Sequence, residues 1–533
     1  MAIRQIEYGE GSYRHGSILG YYEVESARGG FMSSAMKTLL LNPPSFDNFD
    51  GGAGSRWPAT REIESFWYPV WLSYPAGMLP GSRLLDAPPH KVTAAETIQL
   101  AHEYEFVVLF TSTVGFESDL RLIRCMKDVR PDLKVAFVGP PVQVRPTESL
   151  MASADMDFVV RGEFDHAVVE FAQGKPLQEI GGVSYRRDGQ VVHNPPRPLL
   201  QTEELDRLPF ATEAYKRDLV IENYNVPFLL HPFVAFYTSR GCPALCTFCL
   251  WPQTLSGHAW RVRSAENVAR EIRQASKMFP QAKEFFFDDD TFNIRKERVL
   301  ELCAKFRPLG FRWSCTARTH SDYETLKAMA DAGARLLIVG FESGDPQILK
   351  NIKKGATVEM ARTFARNCRK LGIAIHGDFI IGLPGETKES IQRTIDFAKE
   401  LDTETIQVSI AHAYPGTELY DYAVRNNFLA SEALADTQGH QLPHLEYPGL
   451  RREEMMAAVN RFYDSYYFRP RVVWRIVRKA LWDAHERQRL YHEAVEFLRL
   501  RAERWKYARK APPKKGLALA PSTESLPGPE LHT

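Results

Sequence analysis

Between residues 37 and 175, short apolar runs alternate with longer stretches in which apolar side chains return every three or four positions. The runs Thr38–Leu41, Arg83–Leu85, Phe106–Thr111, Val135–Gly139 and Phe158–Val160 have the length and composition of buried strands. Between them lie helical patterns such as Glu117–Val129, where Leu120, Ile123 and Met126 recur at three-residue steps. This alternation predicts a parallel, doubly wound α/β sheet, Rossmann-like in class, which takes ligands beyond the carboxyl ends of its strands. The segments there are Asn42–Ser45, Asp86–His90, Thr111–Thr113, Gly139–Pro141 and Arg161–Glu163, each offering small or polar residues to a flat ligand.

From 176 to about 230 the periodicity fades into a hairpin pattern around Gly181–Gly189 and a proline-punctuated linker. A second series then begins, with strands expected at Phe233–Thr238, Glu284–Phe287, Arg312–Cys315, Leu336–Gly340, Ile375–Gly382 and Ile406–Ala411. Helices are expected at Ala265–Lys277, Lys296–Phe306, Tyr323–Ala332, Val358–Leu371 and Lys388–Leu401. Six such units predict a partial (β/α)6, TIM-like barrel with its site at the carboxyl ends of the strands. Beyond 450 the chain reads as helical and basic, with thirteen Lys/Arg against five Asp/Glu between Phe468 and Lys510. There Val472, Val473, Ile476, Val477, Ala480 and Leu481 form an apolar stripe beside Arg471, Arg475, Arg478 and Lys479. It suits a packing helix with a solvated basic face, or a membrane-surface contact.

The expected organisation is an N-terminal extension (1–35), a doubly wound domain (36–180), a linker (181–229), the barrel (230–450), a C-terminal helical region (451–510) and a disordered tail (511–533). The extension is glycine- and charge-rich, and Met36, directly before the first strand, suggests a start site placed too early. A length of 533 residues exceeds one core, 44% hydrophobic and 25% charged residues are ordinary for a globular protein, and a net charge of +1 gives no pull toward nucleic acid. No apolar run is long enough to span a bilayer. Seven cysteines, three of them within eight residues, argue for a metal site in a reducing, cytoplasmic setting over a disulfide framework.

Those three are Cys242-Pro-Ala-Leu-Cys246-Thr-Phe-Cys249, directly after the first barrel strand. Three thiolates in one loop hold three corners of a cubane cluster, whereas a fully ligated structural cluster takes four. The missing ligand leaves one iron open, as a catalytic metal requires. A structural zinc site, the alternative, needs a fourth Cys or His, and the nearest candidate is His258, nine residues on. The aromatic residues Phe66, Trp67, Tyr68, Trp71, Tyr74, Trp251 and Trp260 suit either an amphiphilic substrate groove or packing between domains.

The C-x3-C-x2-C spacing, with Phe248 before the last cysteine, resembles the radical S-adenosylmethionine (SAM) superfamily. That resemblance implies a [4Fe–4S] cluster on Cys242, Cys246 and Cys249, with SAM chelating the open iron and yielding a 5′-deoxyadenosyl radical. It also implies SAM contacts from strand-end positions: Asp289 and Asp290 in Phe287–Phe292, Arg318, Glu342 and Ser343, and Gly382 and Gly385 in Gly382–Glu386. A doubly wound domain before such a barrel is similar to the cobalamin-binding domain of B12-type members. This implies cobalamin contacts from Ser45, Thr111, Ser112, Gly139, Gly162 and Glu163. The chain departs from that pattern in lacking Asp-x-His-x-x-Gly and in having Gly139-Pro140 where Gly-Gly is usual, so a related domain without cobalamin is the alternative.

Whole segments, among them Leu40–Asp47, Phe66–Pro69, Leu230–Phe233, Cys246–Thr254, Glu284–Phe292 and Asn351–Gly355, resemble the hopanoid-biosynthesis-associated branch of radical SAM proteins over roughly 36–505. That branch implies ring contraction of a glucosamine-bearing bacteriohopanetetrol to its cyclitol ether. A hopanoid lipid substrate, a low-potential flavodoxin- or ferredoxin-type electron donor and peripheral contact with the inner membrane follow from it. A cobalamin-dependent radical SAM methyltransferase, a non-catalytic Fe–S scaffold and a zinc-binding nucleic-acid module are the competing readings.

Overall fold

The computed structural model describes residues 35–46, 65–431 and 442–482, together with Leu434 and Val495. The extension before 35, most of the basic segment after 482 and the tail lie outside the described residues. The first sheet contains β1 (Thr38–Asn42), β2 (Arg83–Asp86), β3 (Phe106–Phe110), β4 (Lys134–Val138), β5 (Phe158–Val160), β6 (Val183–Arg187) and β7 (Gln190–His193), in the order 2-1-3-4-5-6-7. The five strands β1–β5 are parallel. β1 and β3 are buried at every position because helices cover both faces, which explains runs such as Phe-Val-Val-Leu-Phe with no polar alternation. Chain order reverses between β1 and β3, so the crevice at their carboxyl ends is the ligand position of this topology.

The expected hairpin does not lie in a free linker. β6 pairs antiparallel with β5, and β7 with β6. The sheet therefore continues past residue 180, because the short β5 leaves an edge that the hairpin covers. The remaining linker is ordered by Tyr215 and Tyr224, both buried against Tyr68.

The second sheet is formed by β8 (Phe233–Phe236), β11 (Glu284–Phe287), β12 (Trp313–Ala317), β13 (Ala334–Glu342), β14 (Ala374–Ile381) and β15 (Thr405–Ile410). All pairs are parallel, in sequential order from β8 to β15, and β8 and β15 do not pair, so the barrel is open. Between β8 and β11 a two-stranded antiparallel ribbon, β9 (Ser239–Arg240) with β10 (Arg261–Val262), brackets the cysteine segment. The helix Arg452–Tyr467 lies along the β15 edge, where Tyr463 and Tyr467 accept hydrogen bonds from the Val408 and Ile406 N–H groups. The following helix, Pro470–Trp482, buries Val472 but exposes Val473, Trp474, Val477 and Leu481. No described helix is long and apolar enough to cross a membrane.

Five of the aromatic residues, Trp67, Tyr68, Trp71, Tyr74 and Trp251, pack between the two sheets. Tyr68, Trp71 and Tyr74 are buried; Trp67 sits edge-on to Phe286 of β11, and Trp71 stacks on Trp251 at 6.5 Å.

Candidate radical SAM and cobalamin site

The ribbon delivers the chain into the cysteine loop through Gly241, at φ +84°. A Cβ there would lie 2.2 Å from the Ala259 carbonyl oxygen, so only glycine lets the two arms approach this closely. Cys242 and Cys246 are buried and Cys249 is half-buried. One side chain organises the loop: Gln253 Nε2 donates to the carbonyls of Cys246, Thr247 and Cys249 at 3.2, 3.2 and 2.8 Å. The Thr247 N–H donates to the Ile352 carbonyl, tying the loop to the β13 side of the barrel.

Among the described residues no three His, Cys, Asp or Glu side chains converge to hold one metal ion. His258 Nδ1 lies 3.0 Å from the Cys242 carbonyl, holding that ring to the loop backbone. Cys303, Cys315 and Cys368 are buried in the core, and burial pushes their thiols up, those of Cys303 and Cys368 to about 12. The donor set is thus three loop thiols, with two cations beside them. Arg318 Nη1 is 3.7 Å from Cys246 Sγ, and the buried Lys354 lies close enough to Cys246 to feel its charge. These residues fit a [4Fe–4S] cluster with one open corner.

Beside the loop a cleft of about 810 Å³ is lined by Pro243, Leu245, Asn293, Arg318, Lys354 and others from the β11, β12 and β13 ends. Arg318 also donates to the Lys354 carbonyl, and its backbone N–H donates to Asn293 at 2.8 Å. Glu342, at φ +63°, forms a buried ion pair with Lys354 Nζ at 2.7 Å. Burial raises its pKa, and Lys354 opposes that shift. Lys354 was hidden in the Asn351–Gly355 segment, whose spacing carries no ligand signal.

The remaining expected SAM residues divide. Asp290 accepts from Ser256 at 2.8 Å and is half-buried. The Asp289 carboxylate is taken up by the Thr238 and Ser239 N–H groups and the Thr238 hydroxyl, so it shapes the entry to the ribbon. The Ser343 hydroxyl pairs with Thr394 at 3.0 Å and accepts from the Asp345 N–H. Gly382 and Gly385 bracket the turn after β14, where Glu386 accepts from the Gly382 and Leu383 N–H groups at 2.6 and 3.2 Å.

Burial pushes the Glu386 carboxyl up to about 8, against the pull of those two N–H groups, and its Oε1 has no described partner. A carboxyl whose folded pKa lies above its unfolded 4.5 stabilises fully below that value and loses its contribution as pH rises through about 8. Glu386→Gln should therefore hold its melting temperature from about pH 5 to about pH 9 better than the wild type does. Parallel curves in thermal scans across pH would contradict this.

On the first sheet, Gly139 follows β4 and Thr111 follows β3. Thr111 donates to Asp119, a carboxyl raised well above its usual range by burial. Ser112 accepts from the Gly115 N–H, Ser45 is half-buried at the β1 end, and the Gly162 N–H donates to Gln143. These strand ends leave backbone and small side chains at the crevice, which fits a corrin laid against it. The Glu163 carboxylate is buried in ion pairs with Arg261 and Arg240, because a carboxylate removed from water needs cations within reach. His90 is held at both ring nitrogens, Nδ1 by the Asp86 carbonyl and Nε2 by the Val220 N–H, in keeping with the missing Asp-x-His-x-x-Gly.

The radical SAM superfamily matches residues 236–398 and the B12 binding domain matches 56–172. The chain belongs to the radical SAM enzymes that carry an N-terminal B12-binding domain, and its cofactors are a [4Fe–4S] cluster, SAM and cobalamin. It is 30% identical to an uncharacterized methyltransferase of Pyrococcus horikoshii, across 82% of this chain and 94% of that one. It is 28% identical to cytidylyl-2-hydroxyethylphosphonate methyltransferase of Streptomyces wedmorensis, across 64% and 72%. Among solved structures, the cobalamin-dependent SAM radical enzyme OxsB shares the fold at a TM-score of 0.62 and 16% identity, covering 87% of this chain and 72% of that chain.

Arg318 lines the cleft 3.7 Å from the Cys246 sulfur, and we propose that its guanidinium takes the SAM carboxylate. Arg318→Ala should weaken SAM binding roughly ten- to a hundredfold, as loss of a charge-assisted hydrogen bond does, and leave iron content intact. Anaerobic calorimetry with SAM checks this; unchanged affinity would contradict it.

Proposed function

We propose that the chain is a cobalamin-dependent radical SAM methyltransferase acting on an unactivated carbon of an amphiphilic substrate. Bound cluster and SAM supply a hydrogen-abstracting 5′-deoxyadenosyl radical, and cobalamin supplies a methyl carrier. The chain's own residues divide the work. Cys242, Cys246 and Cys249 hold the cluster, Arg318 with the Glu342–Lys354 pair orients SAM, and the β1 and β3–β5 ends seat the corrin. The observation that carries this reading is the packing of the cobalamin domain on the segment after the cluster loop, through Trp71 of the helix Val70–Met78 and Phe110 at the β3 end against Trp251. Similarity to methyltransferases over most of the chain supports it.

A second reading is favoured by the segment resemblances to the hopanoid-associated branch: remodelling of a bacteriohopanepolyol sugar headgroup, by ring contraction of the glucosamine to a cyclitol ether. The exposed Val473, Trp474, Val477 and Leu481, beside Arg471 and Arg478, would suit a visit to a membrane holding such a lipid. One experiment separates the two. Holoenzyme, a low-potential reductant and SAM carrying a deuterated methyl group are incubated with glucosaminyl bacteriohopanetetrol. Label in the lipid product supports methyl transfer, an unlabelled product of rearranged headgroup supports ring contraction, and an unchanged lipid removes the hopanoid reading.

A further inference from the structure

The two-stranded ribbon that enters the cysteine loop contains an electrostatic conflict. Arg240 of β9 stands directly opposite Arg261 of β10. Like charges at facing positions of a ribbon repel, and both side chains are nearly inaccessible, at 2% and 5% exposure. The conflict is resolved from outside the barrel. Asp165, the first residue of the helix after β5 (Asp165–Ala172), accepts both arms of the Arg240 guanidinium at 2.8 and 2.9 Å. Glu163, two residues earlier, lies 2.8 Å from Arg261 and 3.4 Å from Arg240. The two cations of the ribbon are thus matched by two carboxylates of the cobalamin-domain sheet. The helix Val70–Met78 adds to the grip, since Arg240 also lies over the rings of Trp71 at 4.4 Å and Tyr74 at 4.9 Å.

The far side of the loop is held as well. Trp251, two residues past Cys249, stacks on Trp71 with rings 5° from parallel, and meets Phe110 at the end of β3 at 6.3 Å. Arg240 lies two residues before the first cysteine, Trp251 two after the last. The loop is therefore gripped at both ends by the domain that carries the corrin crevice.

We propose that Arg240 and Trp251 are positioning residues that lock the cluster loop to the strand ends of the cobalamin domain and so set the separation between cluster and cobalt. The proposal is independent of the substrate and of the choice between methyl transfer and ring contraction. A loop fixed only by its own barrel would keep its internal shape yet wander relative to the other domain. The planar guanidinium fork and the stacked indole remove that freedom at low entropic cost, because both are rigid groups.

The test is pulsed EPR on holoenzyme with the cluster reduced and cobalamin as cob(II)alamin, which reads the distance distribution between the two centres. Arg240→Lys keeps the charge but loses the fork, and Trp251→Ala loses the stack. Each is expected to retain iron and cobalamin while the distribution broadens at least about twofold, whereas Trp251→Phe, which keeps a ring, restores a near wild-type width. Wild-type distributions in both Arg240→Lys and Trp251→Ala would overturn the proposal. Should these variants not fold, hydrogen exchange on the unmodified protein decides. Loading cobalamin should slow exchange of the amides at 239–242, and unchanged exchange there would overturn the proposal.

Discussion

Cys246→Ala removes the cluster and, with it, all SAM cleavage. Anaerobic reconstitution of this variant should leave iron near zero against about four per chain in the wild type, since two thiolates cannot retain a cubane. Formation of 5′-deoxyadenosine should fall on the order of a thousandfold or more, because no step remains that reduces the sulfonium. Cys246 is the informative member of the trio: it is buried, Arg318 lies 3.7 Å from its sulfur, and the neighbouring Thr247 ties the loop to the β13 side. The protein should still fold, because the Gln253 contacts that shape the loop are to carbonyls and survive the substitution. Iron and sulfide analysis with circular dichroism checks both halves; a brown, iron-replete Cys246→Ala protein would contradict the assignment.

Gly139→Ala should strip the chain of cobalamin while leaving the cluster in place. Gly139 adopts φ +119° and ψ 174°, a region open essentially to glycine alone, and a Cβ there would lie 2.3 Å from the Thr111 carbonyl oxygen. That oxygen is backbone, on a residue whose N–H donates to Val138 in the ladder, so it cannot swing away. Backbone strain and overpacking together cost about 2–5 kcal/mol. The relief available is separation of β3 and β4 at the corrin crevice. Cobalamin affinity should fall at least about thirtyfold, which is what 2 kcal/mol corresponds to, with iron content unchanged. The absorption spectrum of the purified holoprotein reports both cofactors; wild-type cobalamin retention would show that these strand ends are not its seat.

The reach of sequence reasoning is clearest where the physics is local. Buried strands such as Phe158–Val160 and Glu284–Phe287, and helices such as Lys296–Phe306 and Lys388–Leu401, are legible to the residue because an apolar run or a three-to-four-residue recurrence leaves little choice. The cysteine loop is legible because its ligands are neighbours in the chain. Contacts between distant segments are not. Glu163 looks like a strand-end polar residue facing a ligand, and only the fold shows Arg261 and Arg240 beside it. Arg240 and Asp165 are separated by 75 residues with no pattern linking them. The pattern around Gly181–Gly189 is legible as a hairpin, but its pairing with β5 depends on an edge that exists only in the assembled sheet. Lys354 and Glu386 sat inside recognisable segments, yet what marks them is burial, which a sequence does not display.

Radical chemistry here depends on the iron that three cysteines leave without a protein ligand. The most direct measurement is the EPR spectrum of the anaerobically reconstituted, reduced protein before and after addition of SAM labelled with oxygen-17 in its carboxylate. Coordination of SAM to that iron predicts shifted g values together with hyperfine coupling to the label. A spectrum that SAM leaves untouched, with no coupling, would contradict it.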